Sequence, residues 1–221
     1  LRKNNWKREV INIGGVTDSY QPIEKKYQLM PEILKLLIKY KTPAIISTKS
    51  DLILRDYDLI DKLSRINYVN IATTITTVDK ETVRKIEPGA SNVEKRFNVL
   101  KEFRKTNASI GLHVMPIIPL ITDNENNFNS MFSKARECNV DYVLCGALYL
   151  RGVTRTHFIN FMEKEYPCIV NNFKELYKKG GADKEYKTRL YSMVNKIRDE
   201  YNLSNSYMKH QKEKLKPCNI L

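Results

Sequence analysis

Two spacings alternate along the chain. Short runs of aliphatic and β-branched residues occur at Val10–Ile13, Ala44–Ser47, Tyr68–Thr76, Ser109–Met115 and Tyr142–Leu150, and each reads as a strand. Between them apolar residues return every three or four positions, the spacing of one helix face. Ile33, Leu34, Leu37 and Ile38 mark a helix over Pro31–Tyr40, with Pro31 suited to the first turn and Lys39 and Lys41 at the end the helix dipole favours. Leu59, Ile60 and Leu63 mark a second over Leu52–Ser64. A short helix at Glu81–Ile86 is broken by Glu87-Pro88-Gly89-Ala90. Ser91-Asn92-Val93-Glu94 has the form of a capping box and opens a helix to about Lys105, with Val93, Phe97, Leu100 and Phe103 inward. Thr122 or Asp123 can cap a further helix over Glu125–Cys138, with Phe128, Met131, Phe132 and Ala135 inward. The last strand is apolar enough to expect burial on both faces. Past Arg151-Gly152 the pattern is helical: Thr156–Glu165, Asn171–Lys178 stopped at Gly180-Gly181, and Asp183–Tyr201, before a polar, basic tail from Asn202.

Five strands separated by helices predict an α/β protein with a parallel sheet. Ligands of such sheets bind beyond the carboxyl ends of the strands. The candidate residues gather at those ends: Thr17 and Asp18 after the first run, Ser47, Thr48 and Lys49 after the second, Thr74 and Thr76 on the third, and Pro116 on the fourth. Strand alternation puts Thr74 and Thr76 on one face, and Gly14-Gly15 lets the backbone turn sharply or lets a ligand approach. Each residue alone has a plain structural explanation: a turn cap at Thr17 or Asp18, a solvated Lys49, threonines that favour strands, a salt bridge at Arg96. Their shared location is what singles them out. His113 is one of 3 histidines, none near a Cys or Asp cluster, and reads as a core or rim residue.

Composition narrows the picture. A chain of 221 residues can bury a sizeable core as one α/β unit. No run of about 18 apolar residues predicts a membrane span and no signal-peptide pattern opens the chain, so a cytoplasmic protein is expected. Cys138, Cys145, Cys168 and Cys218 are far apart, without zinc or disulfide spacing, and read as reduced thiols. Leu1 is not an initiator methionine, so the chain is expected to begin inside a longer protein. The net charge of +13 would suit a phosphate-bearing partner, but lysine is spread over helix faces and no arginine block with interleaved aromatics appears.

The string Gly14-Gly15-Val16-Thr17-Asp18-Ser19-Tyr20-Gln21-Pro22-Ile23-Glu24 resembles the radical S-adenosylmethionine (radical SAM) superfamily, in the branch of spore photoproduct lyase and DNA repair photolyase-like proteins. The pattern there reads roughly Gly-Thr-x-Thr-Asp-x-Tyr-Gln-Pro-x-Glu, and Gly15 departs from it. Thr48-Lys49-Ser50-Asp51, Thr74-Ile75-Thr76-Thr77-Val78-Asp79, Glu87-Pro88 with Arg96, and Pro116-Ile117-Ile118-Pro119 are similar to further elements of that branch, with Leu120 and Thr122 departing from its Gly and Asn. The resemblance covers about Glu9 to Tyr201. It implies a parallel-stranded partial (β/α)6 barrel lacking its first strand over residues 1–153, with a helical C-terminal extension over 154–221. It implies that Thr17 and Asp18 receive the amino end of S-adenosylmethionine. Lys49 would take its carboxylate, Ser47 and Thr48 the ribose or carboxylate, and Thr74 and Thr76 would also touch the cofactor. Arg96 would bond the cofactor carboxylate or Glu87. Tyr20 is a candidate hydrogen donor.

A [4Fe-4S] cluster would be held by a Cys-x-x-x-Cys-x-x-Cys motif, which this chain lacks and which is expected upstream of Leu1. The implied chemistry is cleavage of S-adenosylmethionine to a 5'-deoxyadenosyl radical for hydrogen abstraction, as in a DNA-repair-type lyase, with nucleic acid a candidate partner. Two other classes stay open. One is a parallel-barrel lyase with Lys49 as a Schiff-base amine, which needs an apolar pocket. The other is a non-enzymatic basic module that binds nucleic acid.

Overall fold

The computed structural model describes residues 1, 6–178, 181–208, 211 and 215. Cys218, Gly180 as a helix stop, and most of the basic tail from Asn202 lie outside the described residues. Among the described residues the chain runs β1 (Ile11–Ile13), α1 (Glu24–Tyr27), α2 (Leu29–Lys39), β2 (Ala44–Thr48), a 3₁₀ helix (Asp51–Asp56), α3 (Tyr57–Ile66), β3 (Val69–Thr74), α4 (Lys80–Ile86) and α5 (Val93–Phe103). It continues through β4 (Ser109–Ile117), α6 (Glu125–Glu137), β5 (Tyr142–Ala147), α7 (Gly152–Glu165), α8 (Val170–Leu176) and α9 (Lys184–Glu200). The five strands form one parallel sheet in chain order, with β1 and β5 at its edges.

The two faces of the sheet differ in chemistry. Residues paired across a parallel ladder point to the same side. The face carrying Ile46, Ile71, Ile110, Leu112, Val114 and Val143 is fully buried in the apolar core. The other face carries Ser47, Asn70, Thr74, Ser109, His113 and Tyr142. Burying an apolar side chain completely is worth about 1.5–3 kcal/mol, so the first face dominates stability and the second is free to carry polar groups.

Several expected boundaries move, each for a visible reason. The helix expected from Pro31 is α2 and starts at Leu29, because the Glu24 carboxylate accepts the N–H groups of Leu29 and Met30 at 3.1 and 2.9 Å and caps the turn from outside. The Leu52–Ser64 segment opens as a 3₁₀ helix capped by Ser50 before α3 begins. The helix cap at α5 is Asn92, not Ser91: Asn92 Oδ1 accepts from Glu94 N–H, while the Ser91 hydroxyl is committed to Asp51. Asn124 caps α6, because Thr122 turns inward to Ile118 and Asp123 accepts from the Tyr186 hydroxyl. The last strand ends at Ala147 and is half-exposed from Leu144 onward, since it is an edge and not a central strand. Leu120 adopts φ +67, the left-handed region where the resembling family has glycine. No helix among the described residues is long and apolar enough to cross a membrane.

Candidate functional site

The carboxyl end of β1 is shaped by Gly14. Its φ is +94, and a Cβ there would lie 2.2 Å from the Ser47 carbonyl oxygen, so only glycine lets this turn rest on β2. The turn delivers Asp18 to the tip of the neighbouring strand. Asp18 Oδ1 accepts from Tyr20 N–H at 2.8 Å and from the Thr48 hydroxyl at 2.7 Å, and Oδ2 accepts from Lys49 N–H at 2.7 Å. One carboxylate thus ties the loop after β1 to the last residues of β2.

Lys49 carries the link onward. Its ammonium meets Glu87 Oε1 at 2.7 Å and keeps 36% of its side chain exposed. Glu87, in the break between α4 and α5, also accepts the Thr76 hydroxyl on Oε1 at 2.8 Å and Arg96 Nη1 on Oε2 at 2.6 Å. Burial opposes charge on Glu87, but Arg96 and Lys49 outweigh it and hold the carboxyl below the usual range. Arg96 is fully buried, and it also donates to the carbonyls of Ser91 and Thr74 at 2.6 and 2.9 Å. Its Nη2 is buried without a partner. Ser91 N–H donates to the Lys49 carbonyl and its hydroxyl bonds Asp51, which closes the ring of contacts. Asn127 braces β3 from behind, accepting from the Thr77 hydroxyl and donating to the Thr76 and Thr122 carbonyls.

These elements line an open cleft of about 710 Å³ at the carboxyl ends of β1 and β2, with polar walls at Asp18, Lys49, Asp51, Arg55, Glu87 and Ser91 and apolar ones at Leu52, Ile86 and Pro88. Asp18 and Lys49 therefore share a cleft. Thr48, Thr76 and Arg96 lie buried beneath or beside it. Thr17 is exposed and accepts from the Gln21 side chain. Ser47 and Thr74 sit on the polar face of the sheet, on the opposite side from Thr48, and do not line the cleft. Tyr20 borders it, but the residue is 1% exposed and its hydroxyl is buried next to Asp56. Burial and the Asp56 charge push that phenol strongly up. Sequence reasoning passed over Asp51, Arg55 and Ser91 as cleft walls. No local pattern marks them: Ser91 reaches Asp51 across 40 residues, a contact only the fold creates.

No family model matches the chain. It is 31% identical over 180 residues to an uncharacterized protein of Mycobacterium tuberculosis, covering 81% of this chain and 53% of that one. An uncharacterized protein of Methanocaldococcus jannaschii is 37% identical over 125 residues, 57% of this chain and 47% of that one. The chain spans about half the length of these curated relatives. Among solved structures it is similar to a mutant of spore photoproduct lyase, with TM-score 0.62, 12% identity, and coverage of 87% of this chain and 59% of that one. A second mutant, with bound AdoMet and dinucleoside spore photoproduct, gives TM-score 0.61 over 87% of this chain and 58% of that one. The chain has an α/β fold with a five-stranded parallel sheet, similar to part of the spore photoproduct lyase fold.

Proposed function

We propose that this chain carries the S-adenosylmethionine site of a radical SAM enzyme of lyase type acting on nucleic acid. One observation carries the reading: a half-exposed ammonium, Lys49, is held at the strand tips by a buried carboxylate, beside a second carboxylate that retains a lone pair. Lys49 suits the carboxylate of an α-amino acid and Asp18 Oδ2 its amine. The cleft volume falls in the usual range for small-ligand sites. Thr48, Thr76 and Arg96 act as positioning residues by fixing Asp18 and Glu87. Ser47 and Thr74, outside the cleft on the polar face, would meet the nucleoside part only where the ligand extends past the strand tips, and Thr17 shapes the rim. We take residues 1–153 as the unit that bears this site and 154–221 as its helical extension. When bound, S-adenosylmethionine would supply a sulfonium that, given one electron from a reductant such as a [4Fe-4S] cluster, releases methionine and a 5'-deoxyadenosyl radical able to abstract hydrogen.

An iron-sulfur cluster needs convergent thiolates. Cys138 is buried against the Phe97 carbonyl, Cys145 is half-buried, and Cys168 is exposed. Among the described residues no three His, Cys, Asp or Glu converge as a metal site. The described cysteines do not fit a cluster, and none is assigned to one. The Schiff-base alternative is disfavoured by the ion pair of Lys49 with Glu87, the opposite of the carboxylate-free apolar setting such an amine needs.

The test is equilibrium binding of S-adenosylmethionine to the natural protein purified without oxygen. Lys49→Ala is expected to weaken binding at least about tenfold, the loss of one charge-assisted contact. Equal binding by Lys49→Ala and wild type would refute the assignment.

A further inference from the structure

The polar face of the sheet holds a chain of side chains that the cleft does not use. His113 on β4 pairs in register with Thr74 on β3, so the two side chains stand next to each other. His113 Nε2 lies 3.2 Å from the Tyr142 hydroxyl, and that hydroxyl donates to Asn70 Oδ1 at 2.9 Å. A phenol has one proton. Spent on Asn70, it leaves the Tyr142 oxygen only an acceptor for His113, so Nε2 must carry the hydrogen. Nδ1 is then a bare lone pair, and no group among the described residues bonds it. Burial holds this imidazole down at about 4, so it stays neutral near pH 7.

The arrangement is built rather than incidental. A Cβ at Gly111 would lie 2.1 Å from the Tyr142 ring, so Gly111 is what lets the ring cross β4 and reach Asn70 on β3. Beside it Asn70, Ser109 and the Tyr68 hydroxyl form a buried polar cluster, with the phenol next to both other side chains. Buried polar groups are kept where they pair with one another or serve a site. A half-buried histidine with one nitrogen fixed and the other free is a positioned acceptor.

We propose that His113 is a nucleoside-recognition residue, accepting on Nδ1 a hydrogen bond from an N–H or O–H group of a nucleoside held against the polar face, with Tyr142 and Asn70 as positioning residues. This rests on the site reading above. The nucleoside is either the adenosyl part of the cofactor or a substrate nucleotide, which share this donor chemistry.

The experiment uses the natural protein, with S-adenosylmethionine and thymidylyl-thymidine as probes, and reads nitrogen-15 histidine spectra together with dissociation constants. Without probe, His113 should show the Nε2–H tautomer, and one probe should shift Nδ1 toward a hydrogen-bonded value. His113→Leu should weaken that probe about tenfold, the loss of one hydrogen bond, while His113→Asn, whose amide oxygen can stand where Nδ1 was, should restore most of it. The probe that responds identifies the source. An Nδ1–H tautomer, or an Nδ1 signal unmoved by either probe while Lys49→Ala still weakens S-adenosylmethionine, would overturn this inference and leave the cleft reading intact. If wild type binds neither probe, both fail together.

Discussion

Arg96 and Glu87 show how much a single residue can hold. Their contact is 2.6 Å and both are buried. Removing one partner of a buried pair typically costs about 3–5 kcal/mol, because the other charge is left uncompensated. Arg96→Leu is therefore expected to lower unfolding free energy by about that amount in urea titrations. Glu87→Gln should cost less, since an amide still satisfies part of Arg96 and Thr76. Glu87 has a folded value below its unfolded value of 4.5, so its contribution is complete above that pH and is lost as pH falls below it. His113 has the opposite chemistry. Its value falls from 6.5 unfolded to about 4 folded, so the unfolded chain binds the proton first and stability declines as pH drops from 6.5 toward 4. The full swing is up to about 3 kcal/mol. Urea titrations at pH 7 and pH 4.5 should show the decline in wild type and a smaller one in His113→Asn. An equal decline in the variant would mean that another group titrates.

At the scale of elements, the loop after β1 depends on Asp18 as a cross-strand tie. Asp18→Asn replaces a carboxylate that accepts from three donors. The expected cost is about 1–3 kcal/mol, with faster amide exchange at Tyr20 and Lys49 but not in β4. Uniform exchange across the sheet would place the effect elsewhere. Gly14→Ala should be as damaging, about 2 kcal/mol or more, from positive φ and collision with Ser47. These elements also show what the sequence discloses. The strand cores are legible because short apolar runs recur between segments of helical spacing, and Gly14 is legible as a turn. The caps at Asn92 and Asn124 are not, because Ser91 and Asp123 have the right chemistry but are engaged by partners distant in sequence, and Thr122 turns back to Ile118 four residues before it. The polar face is hidden for a different reason. Asn70, His113 and Tyr142 belong to three separate strands, and only the register aligns them. Asp18 and Lys49 appear as neighbours in a list of strand ends, yet Ser47 and Thr74 have the same sequence signal and point away from the cleft.

For the whole molecule the open question is what the charge of +13 is for. Much of the lysine is neutralised locally, as in the Lys35–Glu32, Lys105–Glu102 and Lys178–Glu175 pairs one helical turn apart. Such exposed pairs are worth little for stability. Around the cleft, too, Arg55 is paired to Glu24 and Asp56, and Lys95 to Asp51. What remains is a diffuse positive field rather than a reading surface, so binding to a single-stranded polynucleotide should be shallow in sequence and steep in salt. For single strands the affinity falls with about 0.7 power of salt per phosphate contacted, so a footprint of roughly four phosphates loses about fiftyfold between 50 and 200 mM salt. On the proposed reading S-adenosylmethionine is anchored by one ammonium and one carboxylate in a cleft, and its affinity should change only a few-fold over the same range. Measuring both in parallel separates the two roles of the charge. A nucleic-acid affinity as flat as that of the small ligand would mean that the excess lysine contributes solubility rather than substrate capture.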